Sequence, residues 1–302
     1  MKNIKLRNGV EMPPIGFGTD CTFIYVSRNV FIMIKKYMHD IFKEKCYHLK
    51  RDFSLYGIVK KAPKYGCKLF DTASAYGQSE RILGCGIKKY KREDVFISTK
   101  VSNMQQNTGN IRKAFESSSR RLKTDYIDLY LLHWPNPDTY IEAWKQMEEL
   151  YKEGKVRAIG VCNFHKHHME ELEKHATILP MVNQFECHPL MNQEELRKYC
   201  KEKEIQVMAY TPTARMDKRL RNNEVMKSLA EKYGKSIAQI VLRWHYQLGN
   251  IPVVNTTKIK HLKENTDIFD FELSDKEIQA INEINIDCRL RYNPDTCDYT
   301  KL

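Results

Sequence analysis

From residue 66 onward the chain alternates between two hydrophobic periods. Short runs rich in β-branched and aromatic residues read as buried strands: KLFDT (68–72), DVFISTK (94–100), YIDLYLLHW (126–134), VRAIGVCNF (156–164), MVNQFECH (181–188), IQVMAYTP (205–212) and IPVVNTT (251–257). Between them lie segments of helical period. NIRKAFESSSRRL puts Ile111, Phe115 and Leu122 on one face, and SIAQIVLRWHYQLG does the same with Ile237, Ile240, Val241, Trp244 and Leu248. SERILGCGIKK, YIEAWKQMEELYKEG, HMEELEKHA, NQEELRKYCKEK and HLKENTDI complete the alternation, with Gly154 placed as a C-cap. LSDKEIQAINEI adds a helix with a Ser274–Glu277 capping box and a Leu273–Ile278 staple.

IGFGT (15–19) supplies one more strand, making eight strand–helix units. Eight such units in a chain of this length predict a single (β/α)8 TIM barrel spanning residues 1–302. KLRNGVEM ahead of the first strand predicts an N-terminal β-hairpin turning at Asn8-Gly9. An open, doubly wound sheet is the alternative, and the lack of a GxGxxG after the first strand counts against it. The loop after strand one is enlarged, an insertion over about residues 20–53. In it Val30, Met33, Ile34, Tyr37, Ile41 and Phe42 recur at helical spacing. That apolar stripe needs a cover, and docking over the barrel mouth is expected, with a dimer contact as the alternative. Pro63 should interrupt or kink the first barrel helix.

Polar residues fall where the strands end. Asp71 and Tyr76 follow the second strand, and Lys100 ends the third. His133, Asn163, Gln184, Tyr210 and Asn255 end the later ones. In a barrel these ends converge on one mouth, where active sites are built.

Composition narrows the class. The 302 residues carry a formal net charge of +12, but the lysines are spread over many segments. No basic arm for nucleic acid is visible, and the charge is read as solvated faces. No apolar run reaches membrane-spanning length and the N-terminus lacks a signal-peptide core, so a cytoplasmic protein without an integral membrane segment is expected. Nine scattered cysteines without a CxxC pair argue against a disulfide framework or a thiolate zinc site. His165, His167 and His168 fall close together and are read as a solvated helix start, with no metal assigned.

The four residues Asp71, Tyr76, Lys100 and His133 suggest one chemistry. A phenol can deliver a proton to a developing alkoxide. A neighbouring ammonium should lower its pKa toward neutrality, and a carboxylate should hold that ammonium in place. A histidine can hydrogen-bond the carbonyl and orient it. The set reduces a carbonyl only if a hydride source is brought from outside.

These motifs resemble the aldo-keto reductase family: NGVEMPPIGFGT, FDTASAYG, RLKTDYIDLYLLHWP, GKVRAIGVCNF, NQFECHP and AQIVLRW. The likeness runs over about residues 3–20 and 54–285. It implies a barrel that binds a nicotinamide cofactor without a Rossmann domain, and it carries the catalytic tetrad onto Asp71, Tyr76, Lys100 and His133. It further implies a nicotinamide carboxamide on Asn163 and Gln184 with Tyr210 stacked on the ring, though Asn163 also reads as a helix N-cap. Gly18, Thr19, Thr211, Asn255, Thr256 and His261 are the further cofactor contacts expected, with Glu264 and Asn265 on the adenine side. Trp134 walls the substrate pocket.

The chain departs from the pattern in two further places. Asp20 stands where many relatives place a substrate-facing aromatic. Asn255, Thr256 and His261 replace the usual basic 2′-phosphate set, leaving Lys258 and Lys260 as substitutes. The expected activity is reduction of an aldehyde, ketone or sugar carbonyl with NADPH, NADH being possible, by a monomer or homodimer. The alternative is a non-catalytic nicotinamide-binding regulatory subunit of a larger assembly.

Overall fold

The computed structural model of the protein describes residues 2–20 and 53–299. The apolar stripe expected between residues 30 and 42 lies outside the described residues. The chain enters through a hairpin, β1 (Ile4–Lys5) against β2 (Glu11–Met12), paired Ile4 with Met12. Gly9 takes φ +87 at its tip, which costs a side chain but not glycine. Leu6 and Met12 are buried against the core.

Eight parallel strands then close a barrel. They are β3 (Gly16–Gly18), β4 (Leu69–Asp71), β5 (Phe96–Val101), β6 (Ile127–Leu132), β7 (Val156–Cys162), β8 (Val182–Glu186), β9 (Gln206–Tyr210) and β10 (Ile251–Val254). Closure comes from β10 pairing with β3, Val253 opposite Gly16 and Val254 opposite Phe17. Seven of the eight strands fall within the runs expected from the apolar pattern, and β5 runs one residue past its own, to Val101. The sheet is closed, so the open alternative is excluded. At Gly160 in β7 an added Cβ would sit 2.5 Å from the Val182 carbonyl, so glycine lets β7 and β8 approach.

The helices follow the alternation. They are α1 (residues 53–59), α2 (Ser79–Gly86), α3 (Asn103–Asn107), α4 (Ile111–Leu122), α5 (Tyr140–Lys152), α6 (Lys166–Glu173), α7 (Glu194–Glu202), α8 (Lys218–Arg221), α9 (Glu224–Tyr233), α10 (Ile237–Gln247), α11 (Ile259–Thr266) and α12 (Asp275–Asn282). On α10, Ile240, Val241 and Trp244 are buried as the period required. Ser274 and Glu277 form the capping box of α12. Gly154, at φ +71 just past α5, gives the helix its left-handed exit. Pro63 acts as a stop: α1 gives way to a 3-10 turn at Ala62–Tyr65 that ends on left-handed Gly66. Three helices had no clear sequence signal. α3 and α8 are about one turn long, and α9 buries only Met226 and Leu229.

A segment after α12 folds back over the C-terminal mouth of the barrel. The Leu290 and Arg291 N–H groups both donate to the Glu186 carboxylate at the end of β8, at 2.7 and 3.0 Å. Further on, Tyr299 meets the Trp134 ring edge-on, with centroids 6.3 Å apart. Leu290, Arg291 and Tyr299 thereby build a strap beside the mouth.

Candidate active site

A cavity of about 500 Å3 opens at the C-terminal ends of the strands. Asp71, Tyr76, His133, Asn163, Gln184, Tyr210 and Asn255 all line it, so the strand-end polar residues converge as expected. Lys100 lies just behind this lining, fully buried. Its ammonium donates to Asp71 Oδ2 at 2.6 Å and to the Thr72 carbonyl at 2.9 Å. Ser98 Oγ donates to the other oxygen, Asp71 Oδ1, at 2.8 Å. The β4–β5 register sets this up, because Asp71 lies opposite Ser98.

Tyr76 extends from the turn after β4. Its hydroxyl lies 3.5 Å from His133 Nε2, and its ring lies 5.3 Å from the Lys100 ammonium. The expected lowering of the phenol pKa does not occur. Burial, together with the Asp20 and Asp71 carboxylates, pushes Tyr76 well above the ordinary tyrosine value. The Lys100 charge is answered by Asp71, which leaves little of it for the phenol. Tyr76 is therefore a neutral acid with its proton in place. Burial, then the charges of Lys100 and Arg291, hold His133 well below the usual histidine value, so its imidazole is neutral near pH 7.

The far side of the cavity is built for a flat polar group. Asn163 has φ +66 and sits before α6, whose N-cap is His165, so Asn163 is not the expected cap. A left-handed backbone suits asparagine. Its amide donates to the His133 carbonyl at 3.0 Å, and its oxygen accepts from the Tyr210 hydroxyl at 2.6 Å. Gln184 differs. Its oxygen accepts from Cys162 Sγ, but its amide nitrogen is buried with no hydrogen-bond partner among the described residues. Such an orphaned donor on a cavity wall fits a ligand carbonyl oxygen, as in a carboxamide.

Along the rim, Gly18, Thr211, Asn255, Thr256, Lys258 and His261 line the same space. Thr256 Oγ1 lies 3.5 Å from His261 Nδ1. Thr19 is buried behind the rim, tied to the Asp71 carbonyl. Glu264 and Asn265 lie outside the cavity lining, on α11. Lys260 is turned away, pairing with Glu264 at 3.8 Å. Asp20 and Trp134 line the same cavity, the Trp134 ring lying 6.3 Å from that of His133.

Sequence reasoning missed Arg215 and Arg291, which also line the cavity. Their only signal was a basic residue in each of two irregular segments, TAR after β9 and RLR after α12. The histidine cluster is also less solvated than expected. His165 Nδ1 lies 2.8 Å from Asp295 Oδ2, and His167 Nε2 lies 3.3 Å from Asp295 Oδ1. His168 Nε2 lies 3.9 Å from the same Asp295 Oδ1 while its Nδ1 accepts the His165 N–H at 3.2 Å, so this group anchors the strap to the start of α6.

The family model "Aldo/keto reductase family" matches residues 50–286. A glyoxal reductase of Bacillus subtilis (strain 168) is 43% identical over 294 residues, covering 97% of this chain and 96% of that protein. Among solved structures, the aldo-keto reductase MGS-M4 from a deep-sea metagenome library has a TM-score of 0.84 at 34% identity, over 98% of this chain and 100% of that one. A mutant of Gox0644 in complex with NADPH gives 0.83 at 31% identity, over 98% of each chain.

Proposed function

This chain belongs to the aldo/keto reductase family, and from that premise we propose that it reduces small aldehydes and ketones with NADPH, Tyr76 acting as proton donor. The observation that carries the reading is the closed set Asp71–Lys100–Tyr76–His133 at the barrel mouth. The bound nicotinamide would supply the hydride. Gln184 holds the free donor for its carboxamide, Tyr210 offers the ring face, and Thr256, Lys258 and His261 line the rim where a phosphate would sit.

The substrate oxygen fits between the Tyr76 hydroxyl and His133 Nε2. His133, neutral, can hold that oxygen by a hydrogen bond. As the carbonyl carbon gains hydride, the oxygen becomes an alkoxide and takes the Tyr76 proton. The phenolate left behind lies beside the Lys100 ammonium, which offsets its charge, while Asp71 fixes that ammonium in position. Lys100 therefore assists the product of proton transfer rather than ionising Tyr76 beforehand.

Short 1,2-dicarbonyls are the first substrates to offer, given the glyoxal reductase relative. The regulatory-subunit alternative has no observation in its favour. The free thiols among the described residues, Cys67, Cys85, Cys162, Cys187, Cys200, Cys288 and Cys297, accord with the reducing cytoplasm proposed as its location. Among those residues no helix is long and apolar enough to cross a membrane. The test is NADPH oxidation with glyoxal and methylglyoxal by wild type and Tyr76→Phe. Turnover should fall by a factor of about 10² to 10⁴ in the variant, with NADPH binding retained. Equal turnover in the two proteins would falsify the assignment.

A further inference from the structure

The stretch FHKHHME, residues 164–170, takes no part in the carbonyl chemistry. No metal-binding motif surrounds its three histidines in sequence. The strap supplies the missing ligand, because it carries Asp295 to the first turn of α6. His167 Nε2 lies 3.3 Å from Asp295 Oδ1, and His168 Nε2 lies 3.9 Å from the same oxygen. The His167 and His168 rings stand beside each other, with centroids 3.9 Å apart. One donor atom from each of His167, His168 and Asp295 lies within 4.8 Å of the other two.

Zinc holds imidazole nitrogen and carboxylate oxygen at about 2.0–2.2 Å in a tetrahedron, which sets its ligand atoms about 3.3 Å apart. The His167–Asp295 pair already has that spacing, and His168 needs a shift of about half an ångström to reach it. Two imidazoles and one carboxylate leave a fourth position for water. His167 and Asp295 are both exposed, so an ion can enter from solvent. The surroundings also orient the carboxylate. Arg289 Nη2 lies 3.3 Å from His165 Nε2, and a guanidinium can only donate, so the His165 proton is on Nδ1. His165 Nδ1 then donates to Asp295 Oδ2 at 2.8 Å, leaving Oδ1 for an ion. The Arg289 charge faces Glu186, 4.0 Å from Nη1. Burial, and next His167, hold His168 down to about 4, so its imidazole is neutral near pH 7, as a ligand must be. One bond is exchanged. His168 Nδ1 accepts the His165 N–H, which puts the His168 proton on Nε2. An ion at Nε2 moves that proton to Nδ1 and releases the His165 N–H. The exchange costs about tenfold in affinity, a small part of what such ligands give zinc.

We propose that His167, His168 and Asp295 bind a divalent metal ion of the zinc class, and that the ion ties the strap to α6. His165 positions Asp295 and does not itself touch the ion. The strap carries Arg291 into the cavity lining and Tyr299 against Trp134. The ion therefore steadies one wall of the pocket from outside and takes no part in the reaction.

The experiment titrates Zn2+ into untagged, chelator-stripped protein by calorimetry. Wild type should bind one equivalent about tenfold or more tightly than His167→Ala or Asp295→Asn. His168→Gln keeps a side chain able to cap α6 and should lose the same affinity. Thiols elsewhere in the chain bind alike in all four proteins and cancel in the comparison. Far-ultraviolet circular dichroism selects the variants that keep the wild-type fold, and exposed His167 makes His167→Ala the safest of them. Equal affinity in wild type and the folded variants overturns the site. Loss in the histidine variants but not in Asp295→Asn overturns the link to the strap, since α6 alone would then hold the ion. Zinc should also slow tryptic cleavage after Arg289 and Arg291 in wild type and not in His167→Ala. Cleavage of wild type at one rate with and without zinc overturns the tie. None of these readouts needs turnover.

Discussion

Lys100 Nζ lies 2.6 Å from Asp71 Oδ2, with the lysine side chain wholly buried and the aspartate nearly so. Two charges held this deep stabilise one another only while both remain. Each also has a second hydrogen-bond partner, Thr72 O for the ammonium and Ser98 Oγ for the carboxylate. The pair is thus satisfied before any ligand arrives, and it frames the phenol of Tyr76 from behind.

Breaking the pair should therefore cost stability as well as turnover. Lys100→Met strands a buried carboxylate, and about 3–5 kcal/mol of folding free energy should be lost. The double variant Lys100→Met/Asp71→Asn removes both charges and should recover part of that loss while staying inactive. Urea unfolding of the wild type, the single variants and the double variant measures the coupling. A Lys100→Met protein as stable as wild type would contradict the burial argument.

The pH profile follows from two opposite shifts. Tyr76 is raised, so its acid form persists as pH climbs past the ordinary phenol value. His133 is lowered, so its neutral form is already complete at the ordinary histidine value. Neither group changes state between about pH 6.5 and about pH 10. In that window kcat/KM for reduction of a neutral aldehyde should be flat. A limb centred near pH 7 would show that one of the two is not shifted as described.

Cofactor choice should depend on Lys258 and not on Lys260. Lys258 lines the cavity beside Thr256 and His261, whereas Lys260 points away to Glu264. Lys258→Ala should raise KM for NADPH several-fold with little change for NADH. Lys260→Ala should leave both near wild type. Parallel losses for the two cofactors in Lys258→Ala would take that lysine out of the phosphate region.

Much of this arrangement was legible because it obeys regular periods. Leu69, Ile97, Leu129 and Val182 mark strands by their density of apolar neighbours, and a strand's end marks the rim. Asp71, Lys100 and His133 were found by position alone. What stayed hidden has no period. Arg215 and Arg291 lie in irregular segments, and nothing near them in sequence shows that Glu186, over a hundred residues upstream of Arg291, fixes the strap. The direction of the Tyr76 shift was also hidden, because it depends on burial and on how far Asp71 has already answered Lys100. The second reading of Asn163, as a helix N-cap beside its cofactor role, came from its place before a helix, yet its backbone turns left-handed and the cap falls two residues later on His165.

The wall made by Asp20 and Arg291 joins positions 271 residues apart in sequence, 291 minus 20. Contacts so distant along the chain form late, since loop closure must precede them. During refolding the barrel should regain its far-ultraviolet signal before this wall exists. Turnover should therefore return after the secondary structure does, and stopped-flow circular dichroism beside an activity-recovery assay would time the two events. Completion of the pocket wall in this molecule is then an event of the end of folding.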